Sequence, residues 1–167
     1  MTSNWRQDKR WSDRYLPHIK QILGEVLISE PPIEEDQERN TDLMVLRMDS
    51  VRVGCRVRKN EYFERYADEF TIRAGRPSRT KTELTKIIEG WGDYFMYGFA
   101  SVDGDWLVAW AIGDLKVFRR WFATQLMLSH KGCLPGKKRQ NGDGSSNFLA
   151  FRWDDLPPEF VISRNKG

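Results

Sequence analysis

From Trp11 to Leu27 apolar residues recur near helical spacing, at Trp11, Tyr15, Ile19, Ile22, Leu23 and Val26. This predicts an amphipathic helix whose regular part starts near Leu16, because Pro17 is tolerated only in a first turn. An acidic loop over 29–40, with Pro31 and Pro32, separates it from a β-type run over 42–49. A turn at Asp49-Ser50 leads into Val51–Lys59, which alternates strictly. Val51, Val53, Cys55 and Val57 belong on one face and Arg52, Gly54, Arg56 and Arg58 on the other, so the two runs are expected to form a hairpin with the arginines on its open side. A third strand is expected at Glu69–Ala74, followed by a basic turn. Thr80 or Thr82 then caps a helix to about Gly90 with Leu84, Ile87, Ile88 and Trp91 on its apolar side. Tyr94–Ser101 and Trp106–Ile112 read as a hairpin closed by Val-Asp-Gly-Asp, with Phe95, Tyr97 and Phe99 on one face. Asp114 caps a helix over 115–129 that buries Leu115, Phe118, Trp121, Phe122 and Leu126 and leaves Lys116, Arg119 and Arg120 outside. A basic glycine-rich loop, expected to be mobile, covers 132–146. A last strand at 148–153 and an edge segment at 160–162 complete a mixed α/β (α+β) chain, a central mixed sheet flanked by helices.

A chain of 167 residues, 40% of them hydrophobic and 13% aromatic, has enough apolar material for one packed domain over 1–167. The longest apolar run, Trp106–Ile112, is strand-sized, so no membrane partner is expected. The first residues lack the charged-then-apolar order of an export signal, and the two cysteines, Cys55 and Cys133, form no CxxC pair. The expected location is cytoplasmic.

Charge is segregated along the chain. Residues 25–42 hold seven acidic side chains and one basic; 47–86 hold eleven basic and six acidic; 115–140 hold seven basic and none acidic. A polyanion-binding surface beside carboxylates has this distribution, and so do solvated faces that happen to carry like charges.

Phosphate-loop, dinucleotide-binding, nucleophile-elbow and HExxH motifs are absent from the sequence, and His18 and His130 are too few for a histidine-rich metal centre. What remains is the order around the expected hairpin: a helix bearing Glu25, Asp42 at a strand start, a second strand with Arg56-Val57-Arg58 and Lys59, then a helix bearing Glu83 and a strand. This order resembles the PD-(D/E)XK nuclease superfamily over roughly residues 11–100. The resemblance implies a restriction-endonuclease-like core, with Asp42 in the place of the family's metal-binding aspartate and Mg²⁺ (or Mn²⁺) as cofactor. Arg56-Val57-Arg58 stands where the family has Glu-x-Lys, and arginine does not ligate a metal. Two consequences are open: Glu25 or Glu83 supplies the displaced carboxylate beside Asp42, or the domain only binds, with Arg56 and Arg58 gripping phosphates. The general character is also similar to that of small phage-encoded proteins, which implies work on phage DNA in a host cytoplasm.

The expected function is therefore DNA processing by a metal-dependent endonuclease acting on branched or structured DNA. Asp42, Glu25 and Glu83 are the catalytic candidates, with Asp42 and Glu25 as metal ligands. Arg52, Arg56, Arg58 and Lys59, the helix residues Arg119 and Arg120, and Lys137, Lys138 and Arg139 would hold the DNA. A catalytically silent module that binds nucleic acid or a protein partner through the same surface is the alternative, and a homodimer is left open.

Overall fold

The computed structural model describes residues 3–29, 44–45, 51–75, 80–129, 133–142, 144 and 146–167. Two helices open the chain, α1 (Ser3–Asp13) and α2 (Leu16–Leu27), separated by a turn at Arg14 and Tyr15. Two short strands follow, β1 (Ile28–Ser29) and β2 (Met44–Val45), and then β3 (Val53–Arg58). A 3₁₀ turn (Asn60–Tyr62) runs into the one-turn helix α3 (Phe63–Tyr66), strand β4 (Glu69–Gly75) and helix α4 (Glu83–Ile88). The second half is β5 (Tyr94–Ala100), β6 (Leu107–Asp114), α5 (Leu115–Leu128), β7 (Lys137–Gln140), β8 (Asn147–Arg152) and β9 (Val161–Asn165). The mixed α/β class read from the sequence is the one observed.

The strands form a four-stranded mixed sheet in the order β3-β5-β6-β9, a three-stranded antiparallel sheet β4-β8-β7, and the small pair β1-β2. In the first, β3 runs parallel to β5 and β5 antiparallel to β6. Ser101 holds the β5–β6 turn: its Oγ accepts from Gly104 N at 3.0 Å and donates to Gly104 O at 2.7 Å.

Each face of the four-stranded sheet carries its own core. On one, Tyr15, Ile19 and Ile22 recur at one helical face and pack against Met96, Ala100, Leu107 and Ile112, with Val53 and Val57 at the margin. On the other, Phe95, Tyr97 and Phe99 meet the three-stranded sheet and α5. Phe70, with no exposed surface, lies at the centre of this second core. Its ring is 4.5 Å from Trp153, 5.4 Å from Phe151 and 5.5 Å from Phe160. Asp114 caps α5, accepting from Lys116 N at 2.6 Å and Val117 N at 3.1 Å.

Several expectations are corrected here. The segment 11–27 is not one helix but the end of α1 and all of α2, because the chain turns at Arg14-Tyr15 before Pro17 enters its first turn. The expected hairpin is absent among the described residues: Met44–Val45 pairs with Ile28–Ser29, and β3 takes β5 as its partner instead. The basic segment 132–146 contains a strand, β7, paired with β8. Leu84 and Ile87 of α4 are buried as expected, but Ile88 and Trp91 are exposed rather than core: Ile88 is the last residue of the helix and Trp91 lies beyond its end. Cys55 shares the strand face of Val53 and Val57, which pack toward α2, but is exposed, at the free edge of the sheet. No helix among the described residues is long and apolar enough to cross a membrane.

Candidate nucleic-acid interface

Strand β3 is an edge strand, and its register sets the site. Arg56 stands opposite Tyr97 and Arg58 opposite Phe99, so alternation turns both arginines to the face of the aromatic core, at its rim. Arg52, of the same parity, is fixed through its backbone. Its N–H donates to Asp93 Oδ2 at 2.8 Å, and its carbonyl accepts from Asp93 N and Tyr94 N at 2.8 and 3.1 Å.

Each arginine of the row lies over an aromatic ring. Arg52 is 6.0 Å from the Trp91 centroid, Arg56 5.4 Å from Phe148 and Arg58 4.6 Å from Tyr62. From Arg52 to Arg58 the row spans roughly 20 Å at strand rise. Its two ends are open, with Trp91 60% and Tyr62 36% exposed. Neither Arg52 nor Arg58 is ion-paired among the described residues.

Arg56 is different. Its side chain is only 16% exposed and its Nη2 donates to Glu83 Oε2, which also accepts from Arg73 N at 3.0 Å. The expectation that all three guanidinium groups are presented together is therefore corrected. Arg56 belongs to the scaffold because α4, capped by Thr82, brings Glu83 onto it in its first turn.

Beyond Arg58 the ladder continues. Tyr62 and Tyr66 recur at i, i+4, their rings 6.3 Å apart, and Arg65 and Arg139 lie 5.3 and 5.1 Å from the Tyr66 centroid. Arg139, from β7, also donates to Glu69 Oε1 at 2.5 Å. Beneath them Tyr97 Oη is 3.4 Å from Thr71 Oγ1. Burial raises the Tyr97 phenol above its usual range, while Arg58 and Arg56 pull it the other way and Glu69 adds to the rise.

Of the other basic candidates, Lys59, Lys137, Lys138 and Arg120 are exposed. Arg119 is not: it donates to the carbonyls of Ile87 and Gly92, at 3.4 and 3.1 Å, and ties α5 to the end of α4. Gly54 offers little special room, since a Cβ there would make ordinary contact with the Phe95 ring at 3.8 Å.

Among the described residues the two candidate carboxylates, Glu25 and Glu83, do not come together. Glu25 is exposed on α2, accepting from Gln21 at 3.1 Å, on the far side of the sheet from Glu83. One ion bound within about 2.6 Å of each ligand cannot be shared across a sheet. Asp42 lies outside the described residues, and among those described no group of three or more His, Cys, Asp or Glu stands together as a metal site. Tyr62, Tyr66, Arg65, Trp91 and Phe148 were not singled out from the sequence as partners of the arginines. The signal that could have found two of them is Arg58-Lys59 followed by tyrosines four apart.

The chain finds no match among protein-family models, curated proteins or solved structures.

Proposed function

We propose that this protein binds nucleic acid, DNA in the first instance, along the edge of its four-stranded sheet. The observation that carries the reading is the row Arg52, Arg56, Arg58, each over a ring, with exposed rings and guanidinium groups outside any described ion pair at both ends. Guanidinium forks hold phosphate oxygens bidentately, and exposed Trp91 and Tyr62 give unpaired bases a surface to stack on. Lys59 follows Arg58 at the end of β3, and Lys137 and Lys138 are exposed on β7 beside Arg139, adding further positive charge. Arg56 serves the site indirectly, by holding β3 to α4.

The test is binding of single-stranded and duplex oligonucleotides across a salt series. Two phosphate contacts contribute about 1.4 to 1.8 to the slope of log affinity against log salt, so Arg52→Ala with Arg58→Ala should reduce it by that much. An unchanged slope overturns the assignment of these residues. Lys137→Ala with Lys138→Ala asks the same of β7.

A metal-dependent endonuclease is the second reading. What supports it is limited to the pairing: β5, directly preceded by α4, lies parallel beside the strand carrying Arg56-Val57-Arg58, a following helix and strand as in the nuclease superfamily named above, with α3 and the other sheet's β4 inserted between. Glu83 stands against Arg56, in the neighbourhood where that family keeps a carboxylate. Glu25 and Glu83 do not fit as joint ligands, so no metal-dependent step is derived. Under this reading Asp42→Ala abolishes Mg²⁺- or Mn²⁺-dependent cleavage of branched DNA and leaves binding intact. Binding without cleavage under any of these conditions leaves the binding module alone.

A further inference from the structure

Past Tyr66 the surface opens into a cleft of about 880 Å³, the size of a small-molecule site. Its aromatic lining is Tyr66, Trp121 and Phe151, the first two half-buried and Trp121 held edge-on to the buried Phe151 at 5.9 Å. The lining carries both signs of charge, Arg65, Lys137, Arg139 and Arg152 with Glu64, Asp68, Glu69 and Asp155; Glu69 takes Arg139, and Asp68 takes Arg164, from outside the lining, at 3.4 Å. Such a cleft does not favour an additional phosphate, because four carboxylates in its lining would repel it. It fits a neutral, flat, hydrogen-bonding group. Gln125 at the rim supplies both an amide donor and an acceptor.

The cleft is linked to the arginine row through two neighbouring tyrosines. Tyr66 lines it, Tyr62 is the next ring outward, and Arg58 lies on Tyr62. We infer that the cleft receives one unpaired nucleobase of the strand whose backbone lies on β3, so that phosphates are held by Arg52 and Arg58 and a single base is held apart by Tyr66, Trp121 and Gln125. This rests on the nucleic-acid reading above and adds to it a defined base site.

The experiment uses fluorescence anisotropy with single-stranded oligonucleotides of one length. In each, one residue is replaced by an abasic tetrahydrofuran unit, moved stepwise along the strand, so the phosphate count never changes. One position should be sensitive, losing about 5- to 150-fold in affinity, the range for one base–ring stack, while its neighbours change little. Gln125→Trp, which fills the cleft mouth from a half-exposed helix position, should bring the intact strand down to the affinity of the sensitive abasic one. It should leave the abasic strand's affinity unchanged. Trp121→Leu should do the same, and matched thermal midpoints show that both variants are folded. Equal affinity for intact and all abasic strands, or equal weakening of both by the cleft variants, overturns the base site and leaves the arginine row standing. Absence of binding to every strand overturns both.

Discussion

Replacing Glu83 by alanine isolates the contact that fixes the edge strand. The carboxylate has two donors, Arg56 Nη2 and the backbone N–H of Arg73, so the change leaves a guanidinium and an amide without this acceptor. With Arg56 16% and Glu83 28% exposed, both groups are largely withdrawn from water. Breaking a fully buried pair costs about 3–5 kcal/mol. Residual solvent at both side chains lowers that figure, and a stability loss of about 2–3 kcal/mol is expected. In a chain of this length that lowers the thermal midpoint by about 4–12 °C. Urea unfolding followed by circular dichroism reads the free energy directly. Removing both charges at once, as Glu83→Ala with Arg56→Met, should be less destabilising than Glu83→Ala alone, because no unpaired charge stays buried and Met keeps most of the contact with Phe148. Arg58→Ala should cost less than about 1 kcal/mol, since Arg58 loses a ring contact and no described ion pair. A Glu83→Ala loss under about 0.5 kcal/mol, or a double variant less stable than the single, would refute the view that Arg56 is scaffold.

Further expectations can be measured separately. Burial of the Tyr97 phenol holds its proton more tightly in the folded chain than in the unfolded one, so stability is kept below the usual phenol value near 10 and lost as pH rises above it; Tyr97→Phe should flatten the alkaline decline, and an equal decline in the variant would assign it elsewhere. His18 Nδ1 accepts from Leu107 N at 2.9 Å, joining α2 to β6. His18→Ala should cost about 1–2 kcal/mol and speed hydrogen exchange at the Leu107 amide. A Cβ on Gly98 would sit 2.6 Å from Leu107 Cδ1 and 3.3 Å from the Ala109 carbonyl, so Gly98→Val should cost about 1–3 kcal/mol, whereas Gly54→Ala should be nearly neutral in thermal melts.

Local chemistry carried much of the fold into the sequence. Thr82 and Asp114 announce helix starts because a side-chain oxygen must meet free N–H groups there, and both do so. Alternation assigned Phe95, Tyr97 and Phe99 to one face of β5 without any partner in view, and that face is core. Pairing partners were less legible. Val51–Lys59 alternates equally well beside a sequence neighbour or beside a strand some forty residues away, and the structure uses the distant one, β5. The basic run at Lys137–Gln140 gives no apolar alternation because β7 is an edge strand with exposed lysines, so it reads as loop. At the site, the basic residues were visible but their division of labour was not. Whether an arginine is a brace or a grip depends on which carboxylate the fold delivers, and Arg119 and Arg56 were claimed by carbonyls and by Glu83 from separate elements.

That division explains why the arginine row can exist at all. A guanidinium on the core-facing side of a central strand would be sealed among Phe95, Tyr97 and Phe99 at a prohibitive desolvation cost. The edge position of β3 removes that cost for Arg52 and Arg58, since each end of the strand reaches solvent. Only the central member needs a counter-charge, and it is the one that Glu83 meets. Aromatic rings do the remaining work. Trp91 and Tyr62 give the outer guanidinium groups a flat surface to lie on without neutralising them, which a carboxylate would do. The row is thereby held in place and left with its positive charge available to a polyanion. Adding a carboxylate beside an outer arginine, as in Tyr62→Glu, should leave the fold intact and weaken the proposed nucleic-acid binding more than Tyr62→Ala does. Equal weakening by the two would mean that the ring, and not the free charge of Arg58, is what the ligand meets.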